Sequence, residues 1–191
     1  MLGKLVLAAL SLGFAGTASA DTEFFVQARA GIAHLDHFRI DDEEPIGQIL
    51  VGARWGAFGV EAGYLKTQEF TDSFVSRNIA NLVLDYSNEI DGWFVGLNGR
   101  CALGDGPWHV TGRAGALNWS MDDEVVPSRG PRPPSVDADD TGLYAGAGIG
   151  RDFGEHFAVG LALDYFRLDH RGDSFIDASM RALSLTVEHR F

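Results

Sequence analysis

Cysteine is almost absent from this chain. The one present, Cys101, has no internal partner, so no disulfide framework supports the fold. Basic residues are scarce: 15 Lys and Arg stand against 27 Asp and Glu, a formal net charge of −12. Without a basic footprint, nucleic acid is excluded as a partner, and adhesion to anionic polymers is disfavoured. After residue 20 no apolar run approaches the roughly 20 residues a membrane helix needs, and no long stretch repeats with helical period. A helical membrane protein is therefore excluded.

What the chain does have begins with a secretory leader. Lys4 supplies a positive start, residues 5–12 form a short apolar stretch, and Ala18-Ser19-Ala20 is a small-residue cleavage site. Residues 1–20 are expected to be a cleaved signal peptide and residues 21–191 a single domain. Asp21, not Cys, follows the cleavage site, which argues against a lipoprotein anchor. Loss of Lys4 leaves 14 basic residues against 27 acidic, a net charge of −13.

Glycine is abundant, at 24 residues, and period-two alternation recurs. Eight strands are expected, at 23–35, 46–55, 58–66, 91–103, 108–120, 141–153, 157–168 and 178–191. Their connections alternate. Residues 54–57, 104–107 and 152–156 are tight turns, whereas 36–45, 67–90, 121–140 and 169–177 are long and polar. Four of the six prolines crowd into 125–134, an expected irregular stretch. Residues 74–86 are apolar enough either to extend a hairpin or to form a short helix. Long and short connections in strict alternation fit an all-β, eight-stranded antiparallel up-and-down transmembrane β-barrel, with short turns at one end and four long acidic loops at the other.

The strands have unlike faces. Phe157, Val159, Leu161, Leu163 and Tyr165 alternate with Ala158, Gly160, Ala162 and Asp164. The residues 141–153 are ambiguous by parity; Leu143, Ala145, Ala147 and Ile149 are taken as outward. Trp55, Phe58, Trp108, Phe153, Phe157 and Phe191 all fall on the apolar face beside the short turns or the last residue. Such an aromatic ring at one level is what a membrane interface selects. Tyr64, Trp93 and Tyr165 make a thinner second belt. The apolar face then meets lipid. The polar face, carrying Arg29, Arg54, Glu61, Arg100, Arg113, Asp164, Glu188 and Arg190 with Gln27, Asn98, His109 and Thr111, lines the lumen. Five arginines face three carboxylates in that set. Eight strands leave an interior just wide enough for side chains to fill, so a structural polar plug is expected, with a narrow gated pore as the alternative.

Four segments carry a family resemblance: GVEAGYL at 59–65, LYAGAGIGRDF at 143–153, FAVGLALDYFRLD at 157–169 and LSLTVEHRF at 183–191. Together they resemble the small outer-membrane β-barrel family that includes the OmpA transmembrane domain and the Ail/OmpX proteins. The resemblance implies the outer membrane as location, with its lipid and lipopolysaccharide as surroundings. It also implies a C-terminal signature, here Leu183, Leu185, Val187 and Phe191, recognised by the barrel assembly machinery. Proteins of this family serve envelope integrity or surface interaction, and a monomer is expected.

Some relatives of such barrels modify lipid A, the enzymatic alternative. The deacylase pattern resembles a His-x-Ser pair with a Glu on the lipid face. Here the nearest approach is His109-Val110-Thr111, assigned to the lumen. His34, His37 and His170 lie near the long loops, where they could join Asp36 or Asp169; Ser174 near His170 is the best nucleophile candidate, but with no oriented base to name it is read as loop polarity. Gly146, Gly148 and Gly150 do not make Gly-x-Gly-x-x-Gly, because residue 151 is Arg. The stretch beginning at Asp137 opens like a calcium loop, but Gly148 stands where its Glu should be. No catalytic residues, cofactor or metal are expected, and Cys101 is read as a small hydrophobe. The barrel reading places Leu161 and Val187 in lipid. Spin labels at both are expected to be relaxed by oxygen dissolved in the acyl phase and shielded from an aqueous nickel chelate. The reverse accessibility would invert the faces.

Overall fold

The computed structural model describes residues 22–37, 40–75, 83–127, 136–171 and 175–191. The expected signal peptide lies outside the described residues. Among the described residues the alternating segments become nine β-strands: β1 (Thr22–His37), β2 (Ile40–Trp55), β3 (Phe58–Thr67), β4 (Phe70–Val75), β5 (Val83–Ala102), β6 (Trp108–Pro127), β7 (Val136–Phe153), β8 (Phe157–Arg171) and β9 (Phe175–Arg190). β3 and β4 both pair with β5 and are separated only by Gln68 and Glu69, so they are two lengths of one stave. The barrel therefore has eight staves, all antiparallel.

Each stave pairs with its neighbour in sequence, and the ring closes between β1 and β9, from Phe25↔Arg190 to Asp36↔Ser179. Beyond that ladder, the Phe191 N–H donates to the Phe24 carbonyl at 2.9 Å. A closed ladder leaves no edge unpaired, the only sheet arrangement that hydrocarbon tolerates. The three tight turns sit at one end. Each carries a glycine at positive φ: Gly56 and Gly104 at 65° and Gly154 at 76°, a backbone that other residues adopt only with strain.

The strands run well past the expected boundaries. Of residues 36–45, taken as a long loop, 36, 37 and 40–45 are strand, paired as far as His37↔Ile40. Of residues 67–90, 70–75 and 83–90 are strand, so the apolar part of 74–86 that is described extends the hairpin and forms no helix. Residues 121–127 and 136–140 belong to β6 and β7, and Pro127 ends a strand rather than standing in an irregular stretch. Residues 169–171 and 175–177 likewise pair in β8 and β9. The rest of these four stretches lies outside the described residues. The long acidic loops are thus largely paired hairpin extensions. Polarity there marks contact with water, and a ladder continues through water as readily as through lipid.

The side chains at the base of those extensions show why they read as loops: the apolar parity reverses along β3, β8 and β9. In β8 Leu161, Leu163 and Tyr165 face out and Asp164 faces in. Two residues on, Phe166 and Leu168 face in and Arg167 faces out. In β9, Leu183 is exposed and Ser184 buried, whereas Met180 is buried and Arg181 exposed. β3 ends with Leu65 inside and Lys66 outside. The reversal marks a solvent boundary. Below it the wall is oily outside; above it the barrel is wet outside and dry inside, like a soluble one. From Phe157 to Tyr165 the chain advances eight steps of about 3.3 Å, which at a tilt of about 40° is a height of about 20 Å, close to the apolar band of an outer-membrane barrel.

The upper interior is a packed hydrophobic core. Leu35, Leu65, Phe70, Ile90, Leu117, Phe166, Leu168 and Met180 are fully buried, and Trp119 is 1% exposed. Truncating Phe166 to Ala removes a buried aromatic from this core and is expected to cost about 3–5 kcal/mol. Urea titration of the lipid-reconstituted protein, read by the heat-dependent gel mobility of a closed barrel, measures it. A cost below about 1 kcal/mol would mean that the upper barrel is loosely packed.

Candidate functional site

Inward-facing polar side chains occur below the core, in two layers. The middle layer is built by β1, β2, β3, β6, β7 and β8. Arg29 donates from Nη1 to both Asp164 carboxylate oxygens, at 3.2 and 2.9 Å, and from Nε to Gln27 Oε1 at 2.8 Å. Arg113 Nε lies 3.0 Å from Glu61 Oε1 and 3.7 Å from Asp164 Oδ1. Its guanidinium carbon lies over two adjacent rings, 4.6 Å from the centroid of Phe94 and 4.5 Å from that of Tyr144, which meet edge to face 5.2 Å apart. The Tyr144 hydroxyl donates to Glu61 at 2.9 Å. Tyr144 needs a floor without side chains, which Gly115 provides: a Cβ there would stand 2.8 Å from the ring.

The lower layer is nearer the short turns. Arg54 grips Glu188 with two hydrogen bonds of 2.9 and 2.7 Å and reaches Glu23 at 3.1 Å, while its guanidinium lies 3.8 Å above the Phe25 ring. Arg100 donates to Glu188 at 3.1 Å and to Asp152, and its Nη2 lies 3.1 Å from His109 Nδ1. Arg190 donates to Asp152 at 2.9 Å. Two amides join the layers. Asn98 accepts from Arg54 and donates to Glu61, both at 2.7 Å; Gln27 accepts from Arg29 and donates to Glu188 at 3.4 Å.

Every charged residue assigned to the lumen by sequence therefore falls into one connected network: Arg29, Arg54, Glu61, Arg100, Arg113, Asp164, Glu188 and Arg190. The expected excess of arginine does not survive. Glu23 and Asp152 complete the set, giving five carboxylates to five arginines. Both share the inward parity of their strands, Glu23 with Gln27 and Arg29, Asp152 with Gly148 and Gly150. That parity was the available signal; their places at a strand start and beside a tight turn masked it. Gln48, which accepts from Arg113 at 3.3 Å, and Tyr144 were missed as well. The upper apolar core was the larger omission, and it corrects the picture of a wholly polar interior.

The network has a physical logic. An unpaired ion in a low-dielectric interior costs far more than a fold can supply, and paired ions persist only when hydrogen bonds complete them. Equal numbers of each sign leave no net charge to solvate. His109, one member of the rejected enzymatic pair, is buried here against Arg100 and 3.6 Å from Asp152. Ser174 and the side chains of His37 and His170 lie outside the described residues. Among the described residues, no three His, Cys, Asp or Glu side chains converge as a metal site would require.

On the outer wall, Trp55, Phe58, Trp108, Phe153, Phe157 and Phe191 are all exposed at the short-turn end, Phe58 to 77%. So are Leu183, Leu185, Val187 and Cys101. At the other rim the Tyr64 and Trp93 rings meet at a tilt of 50° with centroids 4.9 Å apart, and the Tyr64 hydroxyl donates to Asp91 at 2.9 Å. With Leu97, Leu143, Leu161 and Leu163 all more than half exposed, the apolar surface encircles the molecule, far beyond what a monomer in water carries.

The description "Outer membrane protein beta-barrel domain" belongs to a family model that matches residues 5–191. No curated protein matches the sequence. Among solved structures, the barrel is similar to Neisserial surface protein A, at 14% identity and a TM-score of 0.67, covering 88% of this chain and 97% of that one. It is similar to Ail, the attachment invasion locus protein of Yersinia pestis (15% identity, TM-score 0.59, 90% and 99% covered), and to a major outer membrane protein from Thermus thermophilus (15%, 0.59, 89% and 99%). At these identities the likeness is one of fold.

The network makes a prediction about coupling. Glu188→Leu leaves Arg54 buried without its bidentate partner and is expected to cost about 3 kcal/mol. Arg54→Met combined with Glu188→Leu should cost less than Glu188→Leu alone, because Arg100 keeps Asp152. Equilibrium unfolding in lipid measures both; strictly additive losses would show that the pair acts as two independent contacts.

Proposed function

The chain belongs to the outer membrane protein β-barrel domain family, and from that premise we propose that it is a non-enzymatic outer-membrane scaffold with a plugged interior. It holds rigid hairpin extensions above the outer surface for envelope integrity or surface interaction. One observation carries this reading: any path along the barrel axis must cross the dry core around Trp119 and Phe166, which are 1% and 0% exposed. An ion entering that layer exchanges its water for mainly apolar side chains, at a cost of many kcal/mol. The neutral ion network beneath offers no excess field to draw ions in. A gated pore would require both layers to move together.

An enzymatic reading needs a nucleophile and an oriented base on the lipid face. His109 is held in a charged cluster, and it faces the lumen. The surroundings proposed for the barrel are outer-membrane lipid and lipopolysaccharide. Its assembly would proceed through the barrel assembly machinery reading the outer row Leu183, Leu185, Val187 and Phe191. The monomer is proposed as the working unit, since the ladder closes within one chain.

Planar-bilayer recordings are the test. The wild-type protein should show at most small, infrequent openings. Trp119→Ala with Phe166→Ala, if still heat-modifiable on gels, should open more often. Large steady wild-type conductance would overturn the plug. Lipid A from cells expressing the protein should give an unchanged mass spectrum; altered acylation would favour the enzyme.

A further inference from the structure

A groove of about 300 Å³ lies on the outer wall near the short turns, where β6, β7, β8 and β9 run side by side. Gly150 and Gly160, opposite one another in register, are part of its floor. Ile149, Leu161 and Leu185 line its apolar length, and Trp108, Phe153 and Arg151 line its end. Arg151 is the unexpected member. It is exposed, shares the outward parity of Ile149 and Phe153, and pairs in register with Trp108 on one side and Val159 on the other. Its guanidinium lies 5.4 Å from the centroid of the Phe153 ring.

Among the described residues no carboxylate pairs with Arg151. The adjacent Asp152 points the other way and is held inside by Arg100 and Arg190. Above Arg151 the outward positions of β7, β8 and β9 carry no charge until Asp139, Arg167 and Arg181 at the far rim. A permanent cation on a lipid-facing wall is tolerated at an interface and costly deeper in, and it asks for an anion. General basicity cannot account for it, because the chain as a whole is strongly acidic. The short-turn end of an outer-membrane barrel faces the periplasm, so the anion available at this level is a lipid phosphate.

We propose that this groove seats one phospholipid of the periplasmic leaflet. The phosphate rests on the Arg151 guanidinium, which can offer two parallel N–H donors to its oxygens. Trp108 and Phe153 flank it at headgroup level, and an acyl chain lies along Ile149, Leu161 and Leu185. This goes beyond the scaffold reading and does not depend on the lumen being plugged.

Native mass spectrometry of the detergent-refolded barrel, titrated with phosphatidylglycerol, tests the seat. One lipid should bind ahead of all others. Arg151→Gln should weaken that first site about tenfold, as the loss of a charge-assisted bidentate contact implies. Arg151→Lys should weaken it less, and Arg167→Gln at the opposite rim not at all, with all three still heat-modifiable on gels. Diacylglycerol, which lacks the phosphate, should not occupy the site. Equal lipid retention by Arg151→Gln, or equal binding of diacylglycerol, would overturn the proposal. So would a change in oligomeric state on Arg151→Gln, which would assign the groove to a second copy of the chain.

Discussion

Hydrocarbon offers no partner to a backbone N–H or C=O, so a sheet inside it must close on itself. The β1–β9 ladder satisfies that demand, and most other features follow from it. Eight staves set a circumference, and that circumference sets a lumen only as wide as its side chains. The interior must then be filled, and what fills it is decided by what the matching stretch of outer wall is touching. Where the wall is in lipid, the hydrophobic residues are spent outward, on Leu161, Leu163 and Leu185. The interior falls mainly to polar and small residues, with the rings of Phe25, Phe94 and Tyr144 set against the arginines.

That division makes the lower lumen an ionic structure. Arginines and carboxylates from every stave meet there, in two layers joined by Asn98 and Gln27. Such a network gains little from each pair, because desolvation consumes most of the Coulomb energy. Its contribution is geometric: each strand's register is held by partners on other strands, so a slip of one residue would strand a charge in lipid. Above the membrane the same chain reverts to the arrangement of a soluble barrel, with Phe166 and Trp119 inside and Arg167 and Arg181 outside. The protein is two barrels stacked on one set of staves, each built inside out with respect to the other.

How much of this could be read beforehand depends on the residue. Leu161 against Asp164 announced its faces plainly, because nothing else makes a large apolar residue alternate with a charged one. Trp55, Phe58 and Trp108 announced the level of an interface. Glu23 and Asp152 gave no such notice; a carboxylate near a turn is ordinarily solvated, and only the convergence of Arg54, Arg100 and Arg190 shows otherwise. The paired parts of 36–45 and 169–177 read as loops because they are too polar to show an apolar alternation. A polar face following an apolar one on the same parity looks like the loss of a strand, when it is the loss of the membrane.

Periodicity, turn chemistry and the absence of helical runs determined the sheet, its antiparallel order and the side that meets lipid, because these depend on neighbours one or two positions apart. The tertiary structure alone decided which charges would neutralise one another, where the interior turns from ionic to oily, and which glycines lie under aromatic rings. Those outcomes depend on which residues of distant strands arrive at the same height, and the tilt and stagger of a closed ring set that height.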